Sequence, residues 1–166
     1  MNKKRLVYIS LGSNMGDSVQ LLKSAIKKID TNIGKVLKTS SFYETEPWGF
    51  EADQNFVNAM ICVESNHEPE FILTSLLQIE EHLGRSRNDQ PFYESRPIDL
   101  DIIALENEVI KTNRLVIPHP KMQERLFVLV PFAEIESNWR HPLINKGLEE
   151  MMTLLRHEQK VKRLNS

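Results

Sequence analysis

Two periods of apolar residues run through the chain, and the switches between them mark its elements. Leu6 to Leu11 is a short apolar run closed by Gly12-Ser13-Asn14-Met15-Gly16, which predicts a strand and then a turn. Val19, Leu22, Ile26 and Ile29 recur at three- and four-residue spacing behind Asp17 or Ser18 as cap, a helix that ends at Asn32 to Gly34. Residues 36–44 predict a long second strand. Residues 56–64 predict a third, with Val57, Ala59, Ile61 and Val63 on one face and Phe56, Asn58, Met60 and Cys62 on the other. Pro69 opens a second helix with Leu73, Leu76, Leu77 and Leu83 as its stripe, and Gly84 closes it. Residues 98–104 predict another strand, with Ile98, Leu100, Ile102 and Ala104 on its apolar face. Asn107-Glu108 reads as a hairpin turn into Val109-Ile110. Residues 126–135 read as a helical or packed apolar run, 147–155 as a closing helix, and 156–166 as a charged, frayed tail beyond a single domain at 1–155. This order predicts a ferredoxin-like α+β fold: an antiparallel sheet, helices on one face and the active site on the other.

Polar residues inside those patterns carry the chemistry. Asp99 and Asp101 share the face opposite the isoleucines, about 7 Å apart by the strand rise. Aspartate is a poor strand former. Two carboxylates in this relation are either a solvated edge or a seat for a divalent cation, most suitably magnesium with water and phosphate as its other ligands. Asn58 lies between apolar neighbours on its strand face, so its amide needs either a structural partner or the edge of a heterocyclic ligand with Phe56 against the ring. Glu80 falls on the apolar stripe of its helix, where a carboxylate needs an arginine or a ligand polar group as partner. The Gly12 to Gly16 turn has neither a Walker A ending nor the third glycine of a dinucleotide fingerprint, and reads as a tight turn.

Charge sharpens the picture. The 166 residues carry a formal net charge of −2, which disfavours a general nucleic-acid binder. Yet Arg85, Arg87, Arg96, Arg114, His119 and Arg125 crowd around the aspartates in sequence. Arginine forks and paired aspartates together describe a polyphosphate site without a P-loop. No nucleophile–base pair stands out, which leaves positioning and electrostatics as the catalytic means. Residues 85–96 form a long loop with Phe92 and Tyr93, and loops of that length are usually functional or disordered. Trp48 and Phe50 sit in a second loop that either covers a ligand or packs on the core edge. The single cysteine, Cys62, permits no disulfide within the chain, and a reducing cytoplasm is the expected setting. The apolar run after Met1 to Arg5 is too short for a signal peptide, and no stretch reaches the length of a membrane span.

The segment R-P-I-D-L-D-I-I, with G-R-S-R before it and R-L-V-I-P-H-P-x-M-x-x-R-x-F after it, closely resembles the 6-hydroxymethyl-7,8-dihydropterin pyrophosphokinases of folate synthesis. The resemblance begins at Y-I-S-L-G-S-N-M-G-D, continues through S-S-F-Y-E-T-E-P-W-G and N-F-V-N-A, and reaches the region of Phe132. It implies transfer of the β,γ-pyrophosphate of magnesium-ATP to the pterin hydroxymethyl group, with release of AMP. It implies two Mg2+ ions on Asp99 and Asp101, and Arg96 and Arg85 as catalytic cations. Glu80, Arg87, Arg96, Ile102, Arg114, His119 and Arg125 would contact ATP. Thr45, Trp48 and Asn58 would hold the pterin edge, with Phe56 and Phe127 against its ring. The chain is expected to act as a monomer on these two small molecules, with no nucleic acid or membrane partner, and its length leaves no room for a fused second folate enzyme. Three departures are visible. Gln90-Pro91-Phe92-Tyr93 stands where some relatives have an Arg-Trp pair, Pro120 where some have tyrosine, and Glu46 where a turn proline is usual. Two rivals remain on these residues: a ligand- or RNA-binding module of the same layout, and another metal-dependent transferase with a different acceptor.

Overall fold

The computed structural model describes residues 3–46, 55–84 and 97–164. Its elements are β1 (Arg5–Ser13), α1 (Ser18–Asn32), β2 (Lys35–Thr39), β3 (Tyr43–Thr45), β4 (Phe56–Ser65), α2 (Pro69–His82), β5 (Asp99–Leu105), β6 (Ile110–Lys111), β7 (Val116–Ile117), α3 (Leu126–Ile135), α4 (Leu148–Leu155) and β8 (Lys162–Arg163). The main sheet runs β5-β1-β4-β3-β8, with β2 also paired to β4, and its described pairings are all antiparallel. A strand–helix–strand, strand–helix–strand order with β1 and β4 central is the ferredoxin-like α+β arrangement.

Each face of the sheet has its own core. Val7, Ile9 and Leu11 of β1 and Val57, Ala59, Ile61 and Val63 of β4 point to one face, where Leu22, Ala25 and Ile29 of α1 and Ile72, Leu76 and Ile79 of α2 cover them. Asp17 caps α1 by accepting the Gln20 N–H at 3.2 Å. On the opposite face, Tyr8, Met60 and Cys62 pack under Leu129 and Phe132 of α3 and Met151 and Met152 of α4. The helices therefore occupy the whole of one face and part of the other. Glu134 fastens α3 to the sheet by accepting from the Tyr43 hydroxyl at 2.6 Å and the Ser41 hydroxyl at 2.8 Å.

The chain differs from the sequence pattern at four places, each for a physical reason. The expected long second strand is two strands. Ser40 interrupts it: its own N–H bonds the Met60 carbonyl, and its hydroxyl accepts the Met60 N–H, both at 2.8 Å. A side chain thus stands in for a backbone rung, and the register slips by one residue on passing from β2 to β3. On β5 the register against β1 slips between Ile102, opposite Ile9, and Ala104, opposite Tyr8. The extra residue, Ile103, turns Ala104 to the second face, away from Ile102, and sends Leu105 to the first. Leu77 is exposed, and Ile72 and Ile79 take its place on the α2 stripe. Val109-Ile110 does not form a hairpin with β5; β6 pairs with β7 instead.

The charged tail also departs from expectation. Lys162 and Arg163 pair with Glu44 and Tyr43, and the Leu164 N–H bonds the Phe42 carbonyl at 2.8 Å. The segment covers the edge of β3 rather than fraying, which satisfies backbone groups that an edge strand would leave open. Among the described residues no helix is long and apolar enough to cross a membrane.

Candidate functional site

The part of the second sheet face that no described helix covers begins where α3 and α4 stop. There the register sets three residues side by side: Asn58 on β4, Gly12 on β1 and Asp99 on β5. The next row holds Met60, Ser10 and Asp101. Two strand spacings separate the outer residues of a row, so Asn58 and Asp99 stand about 10 Å apart across a floor of glycine. Asp99 is half-buried and Asp101 exposed, while Leu100 and Ile102 between and after them are buried in the helix-side core. The alternation expected for the aspartates therefore holds as far as Ile102, two residues before the slip in register reverses it.

Gly12 lies directly against its neighbour. A Cβ at that position would come within 2.9 Å of Asn58 Oδ1. The amide of Asn58 is buried, and its Nδ2 donates to Thr45 Oγ1 at 3.0 Å. Thr45 lies opposite Phe56 in the β3–β4 pair. Thr45, Phe56 and Asn58 thus form one corner, with the amide oxygen lying over the glycine floor between β4 and the aspartates.

Glu80 supports the other corner from below. It is 3% exposed, on the sheet side of α2, and its Oε2 accepts the N–H of Leu100 at 2.7 Å. Leu100 is the residue between the two aspartates. β5 is an edge strand, so this N–H has no strand to bond, and a helix carboxylate supplies the acceptor. One partner of Glu80 is thus the strand backbone; Arg85, Arg87 and Arg96, candidates for the arginine expected beside it, lie outside the described residues. The Ser13 hydroxyl likewise donates to the carbonyl of Pro97, which ties the start of β5 to the end of β1 beside Gly12.

The rim continues along β5. The His119 N–H bonds the Ile103 carbonyl at 2.8 Å, so His119 lies on the outer edge, beyond Asp101. Backbone bonds from Met122 to His119 and from Arg125 to Met122 then stack one turn on another. They bring the chain to Arg125, whose guanidinium carbon lies 5.8 Å from the centre of the Phe127 ring. His119 Nδ1 accepts the Lys121 N–H at 3.1 Å, which leaves Nε2 to carry the proton of a neutral ring. Burial, helped by the charges of Arg125 and Lys121, lowers the His119 pKa to about 4.

Two of the sequence candidates stand apart. The Ile102 side chain is in the helix-side core, so only its main chain can reach a ligand. Arg114 pairs with Glu70 at 3.2 Å, both exposed. Glu70 is ten residues before Glu80 on α2, about 15 Å along the helix axis. Trp48, Arg85, Arg87 and Arg96 lie outside the described residues, as do Phe92 and Tyr93. Ser10 and Gly12 were missed as floor residues, because only the pairing register shows what they lie between.

The residues present suit magnesium. Among those described, no group of three or more His, Cys, Asp or Glu side chains could cage a metal. Two carboxylates on an open face match a cation that takes one or two protein carboxylates and completes its shell with water and phosphate.

Burial of neutral His119 has a pH signature. Its folded pKa lies below the unfolded value, so the unfolded chain takes up the proton first. Its contribution to stability is complete above about pH 6.5 and is lost as the pH falls towards 4. The urea midpoint of the wild type should fall between pH 7 and 4.5 by more than that of His119→Gln; parallel curves would contradict the assignment.

Comparison with known proteins identifies the family. A family model described as 7,8-dihydro-6-hydroxymethylpterin-pyrophosphokinase (HPPK) matches residues 8–137. A 2-amino-4-hydroxy-6-hydroxymethyldihydropteridine pyrophosphokinase of Porphyromonas gingivalis is 41% identical over 139 residues, 82% of this chain and 94% of that protein. An Aquifex aeolicus protein of the same name is 36% identical over 144 residues, 87% of this chain and 88% of its own. Among solved structures, wild-type Plasmodium falciparum HPPK-DHPS with pterin and p-hydroxybenzoate has the same fold, with a TM-score of 0.78 at 16% identity. It covers 100% of this chain, which spans 47% of that longer one. The chain belongs to the 7,8-dihydro-6-hydroxymethylpterin-pyrophosphokinase family.

Proposed function

We propose that this protein transfers the β,γ-pyrophosphate of magnesium-ATP to the hydroxymethyl group of 6-hydroxymethyl-7,8-dihydropterin and releases AMP. The observation that carries this reading is the row Asn58–Gly12–Asp99: an amide suited to a heterocycle edge and a carboxylate suited to a metal, on one open floor. Family membership supplies the substrates and the reaction class.

The chemistry asks little covalent help of the protein. A bond forms between the pterin hydroxymethyl oxygen and the β-phosphorus as the hydroxyl proton is released to solvent. The bond from that phosphorus to the α,β-bridging oxygen breaks, and the electron pair leaves with AMP. Asn58, Thr45 and the main chain near Trp48 hold the pterin edge, and Phe56 and Phe127 take its ring between them. This fixes the hydroxyl towards the aspartates. Two magnesium ions held by Asp99 and Asp101 would neutralise phosphate charge and lower the pKa of the attacking hydroxyl. Arg96 and Arg85 stabilise the charge that develops on the transferred group, Arg87 and Arg125 bind phosphate oxygens, and Arg114 would join them only on leaving its surface pair with Glu70. His119, neutral at physiological pH, donates from Nε2 to the nucleotide. Glu80 acts through the main chain of Leu100, by holding the strand between the two carboxylates in place, and Ile102 contributes its main chain. The working unit is a monomeric cytoplasmic enzyme, with the segment after residue 155 paired into its fold.

The product decides between this reaction and a γ-phosphoryl kinase on the same scaffold. Incubated with ATP, magnesium and the reduced pterin, the protein should form AMP in step with pterin pyrophosphate; ADP would contradict the reading. In the same assay Asp99→Asn or Asp101→Asn should lower kcat on the order of 10³-fold while the circular dichroism stays that of the wild type.

Gly12→Ala separates the floor from the fold. The new methyl group would meet a side-chain oxygen at 2.9 Å, and a side-chain end can turn aside cheaply. The melting temperature should barely change, while KM for the pterin should rise about tenfold as the amide loses its bond to the ring. An unchanged KM would remove Asn58 from the pterin site.

A further inference from the structure

The residue before α3 is Arg125, and an arginine cannot cap a helix. Its backbone is extended, with φ −123° and ψ 99°, and no side chain within the turn accepts a first-turn N–H. Serine or aspartate would ordinarily stand at such a position. Here a side chain from far along the chain supplies the missing bond. Gln159 Oε1 accepts the Leu126 N–H at 2.8 Å, and Gln159 Nε2 donates to the Glu124 carbonyl at 2.8 Å. One amide therefore engages the main chain on both sides of Arg125. A side-chain amide carries an acceptor and a donor on one rigid group, which suits both bonds.

Gln159 is itself held from both directions. Before it, α4 ends with the Gln159 N–H bonding the Leu155 carbonyl at 3.0 Å. After it, Val161 packs on the second core and β8 pairs with β3, the strand that carries Thr45. The same short segment thus fastens the two walls between which the pterin would lie: Arg125 to Phe127 on one side and Tyr43 to Thr45 on the other. It lies outside the 8–137 family match.

We propose that Gln159 is a positioning residue. By clamping the chain at Glu124 and Leu126, it sets where the Arg125 guanidinium and the Phe127 ring stand over the site. The inference rests on the reading of Arg125 and Phe127 as ligand contacts given above.

The test is Gln159→Leu, which keeps the bulk and removes both bonds, assayed in parallel with the wild type for AMP formation. KM for ATP and for the pterin should rise about tenfold, with kcat within about twofold of the wild type. A purely structural role would instead lower kcat, through a smaller folded fraction, at unchanged KM. In an Arg125→Ala background, Gln159→Leu should add less than about twofold to KM for ATP, because the residue it acts through is gone. If Gln159→Leu does not fold, Gln159→Glu takes its place: it keeps the acceptor for Leu126, loses the donor to Glu124, and should give a smaller rise in KM. Unchanged KM values, or independent effects in the double variant, would overturn the inference while wild-type AMP formation leaves the reading of the site standing. Absence of AMP already in the wild type would overturn both.

Discussion

A carboxylate buried beneath α2 accepts the N–H of the one residue that separates two aspartates. On this bond between Glu80 and Leu100 the rest of the site depends. β5 is the last strand of its sheet, and an edge strand has one row of backbone groups without a neighbour. Burying a charge costs several kcal/mol unless hydrogen bonds compensate. Here the compensation and the edge problem have one solution. The helix supplies the acceptor, the strand supplies the donor, and the strand is held where Asp99 and Asp101 share an open face. The His119 N–H performs the same service three residues on, at Ile103. The rim of the site is thus assembled from the bonds that finish the sheet.

The second constraint is the division of that face. α3 and α4 cover the half under Tyr8 and Met60, and among the described residues no helix covers the half that contains Gly12. The slip in register at Ile103 falls at the boundary. Before it, β5 sends its carboxylates to the open face; after it, Ile103 and Ala104 close the core under α3 and α4. One inserted residue lets a single strand serve a polar site at one end and a dry core at the other. Glycine at position 12 leaves room for the Asn58 amide oxygen, which a Cβ there would meet at 2.9 Å.

Much of this was legible in the sequence. The two periods placed α1, α2 and the central strands, and period two put Asn58 and Asp99 on the face away from the helices. The stripe of α2 marked Glu80 as buried. What could not be read depended on contacts far apart in the chain. A serine that replaces a backbone rung at Ser40 has no local signature, so β2 and β3 looked like one strand. The slip after Ile102 is decided by how β5 fits β1, so Ala104 was assigned to the wrong face. The tail carries charge and few apolar residues, which reads as solvated; its order comes from backbone pairing with β3 and from one glutamine amide. The bond from Glu80 to the strand was not legible, because the stripe of a helix shows that a carboxylate is buried but not which edge-strand N–H it meets.

The central claim is that Asp99 and Asp101 form a metal seat facing Asn58 across Gly12. Anomalous diffraction from crystals grown with manganese in place of magnesium, a non-hydrolysable ATP analogue and the pterin tests it most directly. The account predicts manganese peaks within coordination distance of both carboxylates, with the pterin against Asn58. Manganese bound elsewhere, or a pterin on another face of the sheet, would contradict it.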